Sequence, residues 1–149
     1  MQIDFLSSSV DDTLEIAREL GAVLLRGDVV ALIGDLGAGK TVRIVSPSFT
    51  ILTEHGSERP GSLPLYHADL YRLSGEREAE GIGLEEALYG DGICLVEWAE
   101  KIASMLPKCC INVKFSILDE SGRTLIVTAE DSPRMSEFAA SCKRYTRGG

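Results

Sequence analysis

A phosphate-binding pattern occupies residues 34–41 of this chain, which read Gly34-Asp35-Leu36-Gly37-Ala38-Gly39-Lys40-Thr41. They match G-x-x-x-x-G-K-T without a substitution. In that pattern the backbone N–H groups of a glycine turn surround an anion, the lysine reaches the outer phosphates and the threonine hydroxyl binds Mg²⁺. A strand must deliver the chain to such a turn, and the apolar run Val29–Ile33 comes directly before it. The sequence therefore predicts binding of a nucleoside triphosphate with Mg²⁺; an incidental glycine-rich turn is the alternative.

Two further apolar runs end in a carboxylate side chain, one at Asp69 and the other at Glu97. In open α/β sheets, ligands bind beyond the carboxyl ends of parallel strands. If these strands are parallel neighbours, both acids converge on Lys40 and Thr41. An acid in that position can hold Mg²⁺ or orient an attacking water. We expect Lys40, Asp69 and Glu97 to be catalytic and Thr41, Asp69 and Glu97 to serve the metal, with the division of roles between the acids left open.

Three other residues are weaker candidates for the same site. His67 lies two positions before Asp69 and faces the same side of a strand, where it could orient Asp69, touch phosphate or be a structural histidine. Trp98 could stack near the nucleotide or belong to the core. Ser48 lies in the polar, proline-kinked segment 46–50, which has the character of a loop that senses the γ-phosphate, although an ordinary turn is the alternative.

The sequence after Thr41 departs from what a phosphate-binding loop requires. A helix should begin there, because its first N–H groups and its dipole hold the anion. The chain continues instead with Val42-Arg43-Ile44-Val45-Ser46-Pro47, which is β-branched and then blocked by proline. A parallel crossover also needs a dozen or more residues. We therefore expect that a helix and a loop are missing between Thr41 and Val42.

Helices are predicted in four places. Apolar residues recur at helical spacing after the capping and acidic residues in Ser8-Ser9-Val10-Asp11-Asp12, and an acidic surface helix, split by glycines, spans residues 76–88. Another helix is expected from residue 98 to about residue 106. A last helix begins with Pro133 in its first turn, where the missing N–H of proline costs little.

The strand pattern completes the expected fold. Turn residues at 56–61 predict one hairpin, and a second should join the runs 109–118 and 123–130. The expected fold class is α/β and P-loop nucleoside triphosphate hydrolase-like. It has a mixed sheet with parallel core strands and antiparallel hairpins, and helices on both faces.

The composition is that of an acidic single domain. The chain has 149 residues, of which 44% are apolar and 26% charged, and its formal charge is −8. We expect one domain over residues 1–149, with residues 143–149 a frayed tail. The negative charge argues against direct nucleic-acid binding, which needs Lys and Arg to displace counterions.

No apolar run is long enough to cross a bilayer and the N-terminus lacks signal-peptide character, so we expect a cytoplasmic protein without membrane attachment. The four cysteines form no metal pattern and should be reduced and mostly buried.

Together these segments resemble the bacterial ATPase family that assists threonylcarbamoyladenosine formation on tRNA, the TsaE family. The resemblance rests on the pattern at residues 34–41, on Ser46-Pro47-Ser48-Phe49-Thr50, on Tyr66-His67-Ala68-Asp69-Leu70-Tyr71-Arg72 and on Glu97-Trp98, which occur in the family's order. It extends from the N-terminal helix to about Leu106, and beyond that point the match is generic. Ser48 stands where the family would lead one to expect threonine.

The resemblance implies a small P-loop α/β domain that is a weak ATPase on its own and uses ATP and Mg²⁺. It also implies the partners: a threonylcarbamoyl transferase and its non-catalytic paralogue, with tRNA contacted only indirectly. ATP hydrolysis would reset that complex between turnovers. The residues implied to bind the nucleotide are Asp35, Leu36, Gly37, Ala38, Gly39, Lys40, Thr41, Ser48 and Trp98. A small-molecule kinase and a non-hydrolysing adaptor that signals nucleotide state are the alternatives.

Overall fold

The computed structural model describes residues 1–34, 52–55 and 62–147. The strands in these residues are β1 (Gln2–Ser7), β2 (Val29–Ile33), β3 (Leu52–His55), β4 (Leu65–Asp69), β5 (Ile93–Glu97), β6 (Ile111–Ile117) and β7 (Arg123–Thr128). The helices are α1 (Val10–Val23), α2 (Glu76–Gly81), α3 (Leu84–Leu88) and α4 (Pro133–Ser141), with 3₁₀ turns at Ala99–Ile102 and Lys143–Tyr145. None of these helices is long and apolar enough to cross a membrane.

The strands join in one mixed sheet in the order β1-β7-β6-β2-β5-β4-β3. At its centre β6, β2, β5 and β4 are parallel neighbours. β3 pairs antiparallel with β4, and β7 lies antiparallel between β6 and β1. The expected α/β class is therefore confirmed, with a parallel core, antiparallel hairpins and helices on both faces. Both predicted hairpins are present as β3–β4 and β6–β7, although the turn at 56–61 lies outside the described residues.

Two apolar layers enclose the parallel core. On one face Val30 packs with α1 and α4, where the rings of Phe5 and Phe138 meet edge to face with their centroids 5.3 Å apart. On the other face Ala31 and Val96 pack with α2, α3 and the turn at Ala99–Ile102. Both sides of β2 are buried by these two layers. This is why β2 is a continuous apolar run, which is the pattern of a central parallel strand and not of an amphipathic helix.

Helix α1 connects β1 to the parallel β2 and begins at a satisfied cap. The Ser9 hydroxyl accepts a hydrogen bond from the Asp12 N–H at 3.1 Å. Beneath it the buried hydroxyls of Ser7 and Thr13 hydrogen-bond to each other at 2.7 Å. The predicted helix is confirmed. So are the last helix, which begins at Pro133, and the break between α2 and α3, where Gly83 has a φ of +75°.

Two segments differ from expectation. β1 was not predicted, although its side chains alternate between exposed and buried as a half-buried strand requires. Where a helix was expected from residue 98 to about residue 106, only the 3₁₀ turn Ala99–Ile102 forms. It follows Trp98 in a left-handed conformation that gives no side-chain cap, and Pro107 lies a few residues beyond it.

The tail also differs from expectation over residues 143–147. Lys143–Tyr145 forms a 3₁₀ turn, and Thr146 makes a bridge with Phe5 of β1. The Arg147 N–H then donates to the Asp4 carbonyl at 2.9 Å. These contacts hold the segment against the edge strand of the sheet, which the basic sequence alone did not reveal.

The cysteines are free thiols, with Cys94, Cys110 and Cys142 buried and Cys109 exposed. This confirms the expectation of mostly buried, unpaired thiols. Burial raises the pKa of Cys94 to about 12 and that of Cys110 to about 11. These two thiols stay protonated at neutral pH and are poor nucleophiles, because the thiolate is the reactive form.

We predict that a thiol reagent such as dithiobis-nitrobenzoate reacts rapidly with one of the four cysteines of the native protein at neutral pH, and that this is Cys109. After unfolding in guanidinium all four should react. Cys109→Ser should remove the rapid phase, whereas Cys110→Ser, the matched control, should leave it unchanged. Rapid reaction of Cys94 or Cys110 in the native state would contradict the burial of these side chains in the core.

Candidate functional site

The carboxyl ends of β2, β5 and β4 lie side by side. Glu97, the last residue of β5, is in register with Leu32 of β2 on one side and with Asp69 of β4 on the other. Gly34, the first residue of the phosphate-binding pattern, follows directly after the end of β2. Past the last paired residues, the Leu70 N–H donates to the Glu97 carbonyl at 3.2 Å. The two acids therefore lie beside the point at which the chain enters the pattern.

The backbone conformation and the close packing at position 34 require glycine. Its φ is +143°, a backbone conformation that residues with a side chain rarely adopt. A Cβ atom at this position would lie 2.5 Å from the carbonyl oxygen of Phe115 in β6. Because that neighbour is backbone in a paired strand, it has little freedom to move aside. The first glycine of the pattern thus lets the chain leave β2 while passing close to β6.

Glu97 is a buried carboxylate held by a histidine. Its Oε1 lies 2.8 Å from Nε2 of His67, and the two side chains are only 4% and 3% exposed. His67 is thus found beside Glu97 and not in the expected role of orienting Asp69. The register explains the difference. Asp69 is the direct neighbour of Glu97, so His67, two residues earlier on the same face of β4, reaches diagonally across to β5.

Asp69 has a different environment from Glu97. It is partly exposed, and its Oδ1 accepts a hydrogen bond from the Tyr71 N–H at 3.1 Å. Such a bond to the backbone two residues on is typical of an Asp that shapes a turn. The carboxylate of Asp69 therefore fixes the chain after β4 and still reaches solvent at the edge of the sheet.

Trp98 extends this edge beyond Glu97. Among the described residues it is the only one other than glycine with a positive φ, at 59°. Its ring lies 5.2 Å from the ring of Tyr71, and the ammonium group of Lys101 lies 5.8 Å from the centroid of each. That ammonium group also donates to the carbonyls of Tyr71 and Leu73, at 2.5 and 2.8 Å. An aromatic pair fixed by a lysine thus flanks the two acids.

Most of the predicted nucleotide-binding residues lie outside the described ranges, and their roles stay predictions. They are Asp35, Leu36, Gly37, Ala38, Gly39, Lys40, Thr41 and Ser48. The junction of Thr41 and Val42, where we expect a helix to be missing, lies outside them as well. Within residues 1–34, 52–55 and 62–147, no group of three or more His, Cys, Asp or Glu is placed to hold a metal ion.

A mixed sheet with a parallel centre, helices on both faces and a G-x-x-x-x-G-K-T sequence after a central strand define an α/β domain of the P-loop class. Comparison with known proteins then gives the family. The family model described as threonylcarbamoyl adenosine biosynthesis protein TsaE matches residues 7–125. This chain belongs to the TsaE family.

Individual relatives agree with this assignment. The chain is 39% identical to the tRNA threonylcarbamoyladenosine biosynthesis protein TsaE of Bacillus subtilis, with 97% of this chain and 89% of the relative covered. It is 36% identical to the protein of the same name from Treponema pallidum, over 82% of this chain and 97% of the relative. In structure it is similar to the crystal structure of Bacillus subtilis YdiB, with a TM-score of 0.70, 34% identity and 97% and 95% of the two chains covered.

The comparison also bears on chain length. The identity with the Bacillus subtilis protein is counted over 157 positions, although this chain has only 149 residues. The relative therefore has aligned residues that this chain lacks. The count does not locate these positions along the chain, so the helix expected after Thr41 stays a prediction.

We predict that Gly34→Ala lowers the free energy of unfolding by about 1–3 kcal/mol, because alanine would combine an unfavourable φ with a backbone clash. Chemical denaturation monitored by circular dichroism measures the change. Gly21→Ala is the matched control. Gly21 lies inside α1 with nothing within 4 Å of the added Cβ, so the same substitution should stabilise the protein by about 0.5–1 kcal/mol. Equal effects of the two substitutions would show that Gly34 is not constrained as described.

Proposed function

We propose that this chain is the Mg²⁺-dependent ATP-binding and ATP-hydrolysing subunit that serves threonylcarbamoyladenosine modification of tRNA. The observation that carries the proposal is the register of Asp69 and Glu97 beside the end of β2. Glu97 ends β5, the neighbour of the strand that leads into the sequence Gly34-Asp35-Leu36-Gly37-Ala38-Gly39-Lys40-Thr41, and Asp69 ends β4, the next strand along. The family and the names of its relatives supply the pathway.

The residues present suit a nucleotide with its metal ion. Carboxylate and hydroxyl oxygens are the ligands that Mg²⁺ prefers, and Asp69, Glu97 and Thr41 provide them. When bound, Mg²⁺ neutralises the charge that develops on the transferred phosphoryl group. Lys40 would bind the outer phosphates, and the backbone N–H groups of residues 35–41 would be the donors that surround them. Trp98, at the same edge, offers a ring face near the nucleotide.

The two acids differ in a way that suits two roles. Glu97 is buried and fixed by His67, so it can hold a water in line for attack or a metal ion in a constant place. Asp69 is partly exposed, so it can reach the hydrated metal ion from solvent. Both assignments rest on oxygen chemistry and position, and exchange of the two roles is compatible with the same geometry.

The charge of the chain supports work through protein partners. A formal charge of −8 disfavours direct contact with the phosphate backbone of tRNA. The proposed partners are the threonylcarbamoyl transferase and its non-catalytic paralogue, and hydrolysis of ATP would reset their complex between turnovers. The protein would act in the cytoplasm.

A non-hydrolysing adaptor is the second candidate. It would use the same phosphate-binding sequence but would signal the nucleotide state to its partners without hydrolysis. The kinase alternative is less well supported. Neither a basic acceptor pocket nor an arginine-rich lid is evident in the sequence.

We predict that the protein binds ATP with Mg²⁺ and that Lys40→Ala weakens binding at least tenfold. A charge-assisted hydrogen bond to phosphate contributes about 1.5–3 kcal/mol, and about 1.4 kcal/mol corresponds to tenfold. Isothermal titration calorimetry measures the affinity. Lys108→Ala is the control, because Lys108 is exposed and precedes β6, at the opposite edge of the sheet.

Each result of this titration is informative. Equal affinity of Lys40→Ala and the wild type would show that ATP binds elsewhere. No binding by the wild type would contradict the nucleotide-dependent proposal and favour a chain that has lost its phosphate site. ATP turnover, measured with and without the two partner proteins, then separates the ATPase from the adaptor, which would bind ATP without hydrolysing it.

A further inference from the structure

The buried contact between His67 and Glu97 has a feature that packing does not explain. His67 Nε2 meets the Glu97 carboxylate, but its other ring nitrogen, Nδ1, is buried with no hydrogen-bond partner among the residues that the structure describes. A histidine kept only for packing could be replaced by an apolar side chain that leaves no polar atom unsatisfied. The contact that distinguishes this ring from an apolar side chain is the one between Nε2 and the carboxylate.

The arrangement indicates which form of the ring is present. In neutral histidine one ring nitrogen carries a proton and the other accepts. Donation from Nε2–H to Glu97 leaves Nδ1 as a bare acceptor, and a buried unpaired acceptor is less costly than a buried unpaired N–H. The neutral Nε2–H tautomer therefore fits the structure.

On the side of α1 the pair has apolar surroundings. Both side chains line a cavity of about 250 Å³ between α1 and the sheet, whose other walls are almost entirely apolar. Leu32, Leu95 and Leu24 contribute to it and have no group that can bind a carboxylate. Asp69, on the neighbouring strand, turns its Oδ1 to the Tyr71 N–H. His67 thus provides a directional hydrogen bond from within an apolar wall.

We propose that His67 is a positioning residue for Glu97: its Nε2–H fixes the orientation of the carboxylate that acts on the metal ion or the attacking water. The proposal rests on the ATPase function proposed above and adds a residue to that site. Because His67 acts through Glu97, its loss should slow hydrolysis and leave ATP affinity nearly unchanged. Small misplacements of a catalytic group can cost up to about a hundredfold in rate.

The kinetic test compares two substitutions in the full chain with its partner proteins present. His67→Phe keeps a flat ring but removes the donor, and we expect kcat to fall at least tenfold while the ATP dissociation constant changes less than threefold. His67→Gln keeps an N–H near the position of Nε2 and should restore kcat to within about threefold of the wild type. Equal loss in both variants, or no loss in His67→Phe, would overturn the positioning role.

A second test does not depend on activity. The chain has two histidines, so long-range ¹H–¹⁵N spectra resolve both imidazoles. We expect the ring of His67 to show a protonated Nε2, and Glu97→Gln to shift its nitrogen signals. Asp69→Asn, the matched control on the adjacent strand, should leave them unchanged. Failure of Glu97→Gln to shift the signals would overturn the pairing.

The two tests separate the two proposals. If the spectra show the pair but the wild type does not hydrolyse ATP even with its partners, the ATPase function fails and the catalytic role of His67 fails with it. If the wild type hydrolyses ATP and His67→Phe does so equally well, only the positioning role fails.

Discussion

The register of the four parallel strands is the constraint on which this structure depends. The two central strands, β2 and β5, have apolar residues on both faces, so each must pack against two layers at once, and β6 and β4 pair with them on either side. A slip of one residue in β5 would exchange its faces, exposing Val96 to the layer of α1 and moving Glu97 to the side of α2 and α3. The same packing that stabilises the core therefore fixes where Glu97 and Asp69 lie relative to the end of β2.

The crossovers follow from this register. The chain moves from β1 to β2 by α1 on one face, and returns from β4 to β5 by α2 and α3 on the other, as crossovers of a single hand require. Gly34 and Leu52 lie at the same edge, three strand positions or roughly 14 Å apart. The sequence leaves residues 42–51 between the motif and β3. An extended segment of that length reaches about 33 Å. It can span the distance between Gly34 and Leu52, but it is too short to run along the sheet as a helix and then come back to this edge.

The sequence predicted the elements whose signal is local. The helix start within residues 8–12, the turn signals between the runs that form β6 and β7, and the strand before Gly34 each carry their own chemistry, and each was found where expected. The carboxylates were predicted to end neighbouring strands because Asp69 and Glu97 follow apolar runs. Their pairing with His67 was not predicted. Spacing along β4 shows which face His67 occupies, but only the register with β5 shows that its diagonal neighbour is Glu97. The edge strand β1 and the tail at Thr146 depend in the same way on a contact between the two ends of the chain.

The buried polar side chains distinguish structure from function in this fold. Among the described residues these are Ser7, Thr13, His67 and Glu97, and they form two pairs. In the first pair one hydroxyl donates to the other, and both lie near the Ser9 carbonyl, which accepts the remaining proton, so the pair is satisfied and the start of α1 is fixed. The second pair buries a carboxylate, leaves one ring nitrogen unsatisfied and is followed by Trp98 in a left-handed conformation. Each of these features is unfavourable, and a fold that needed only packing would exclude all three. All three features lie at the edge of the sheet where β2 leads into the phosphate-binding sequence. A site that must hold one carboxylate in one orientation requires such an arrangement.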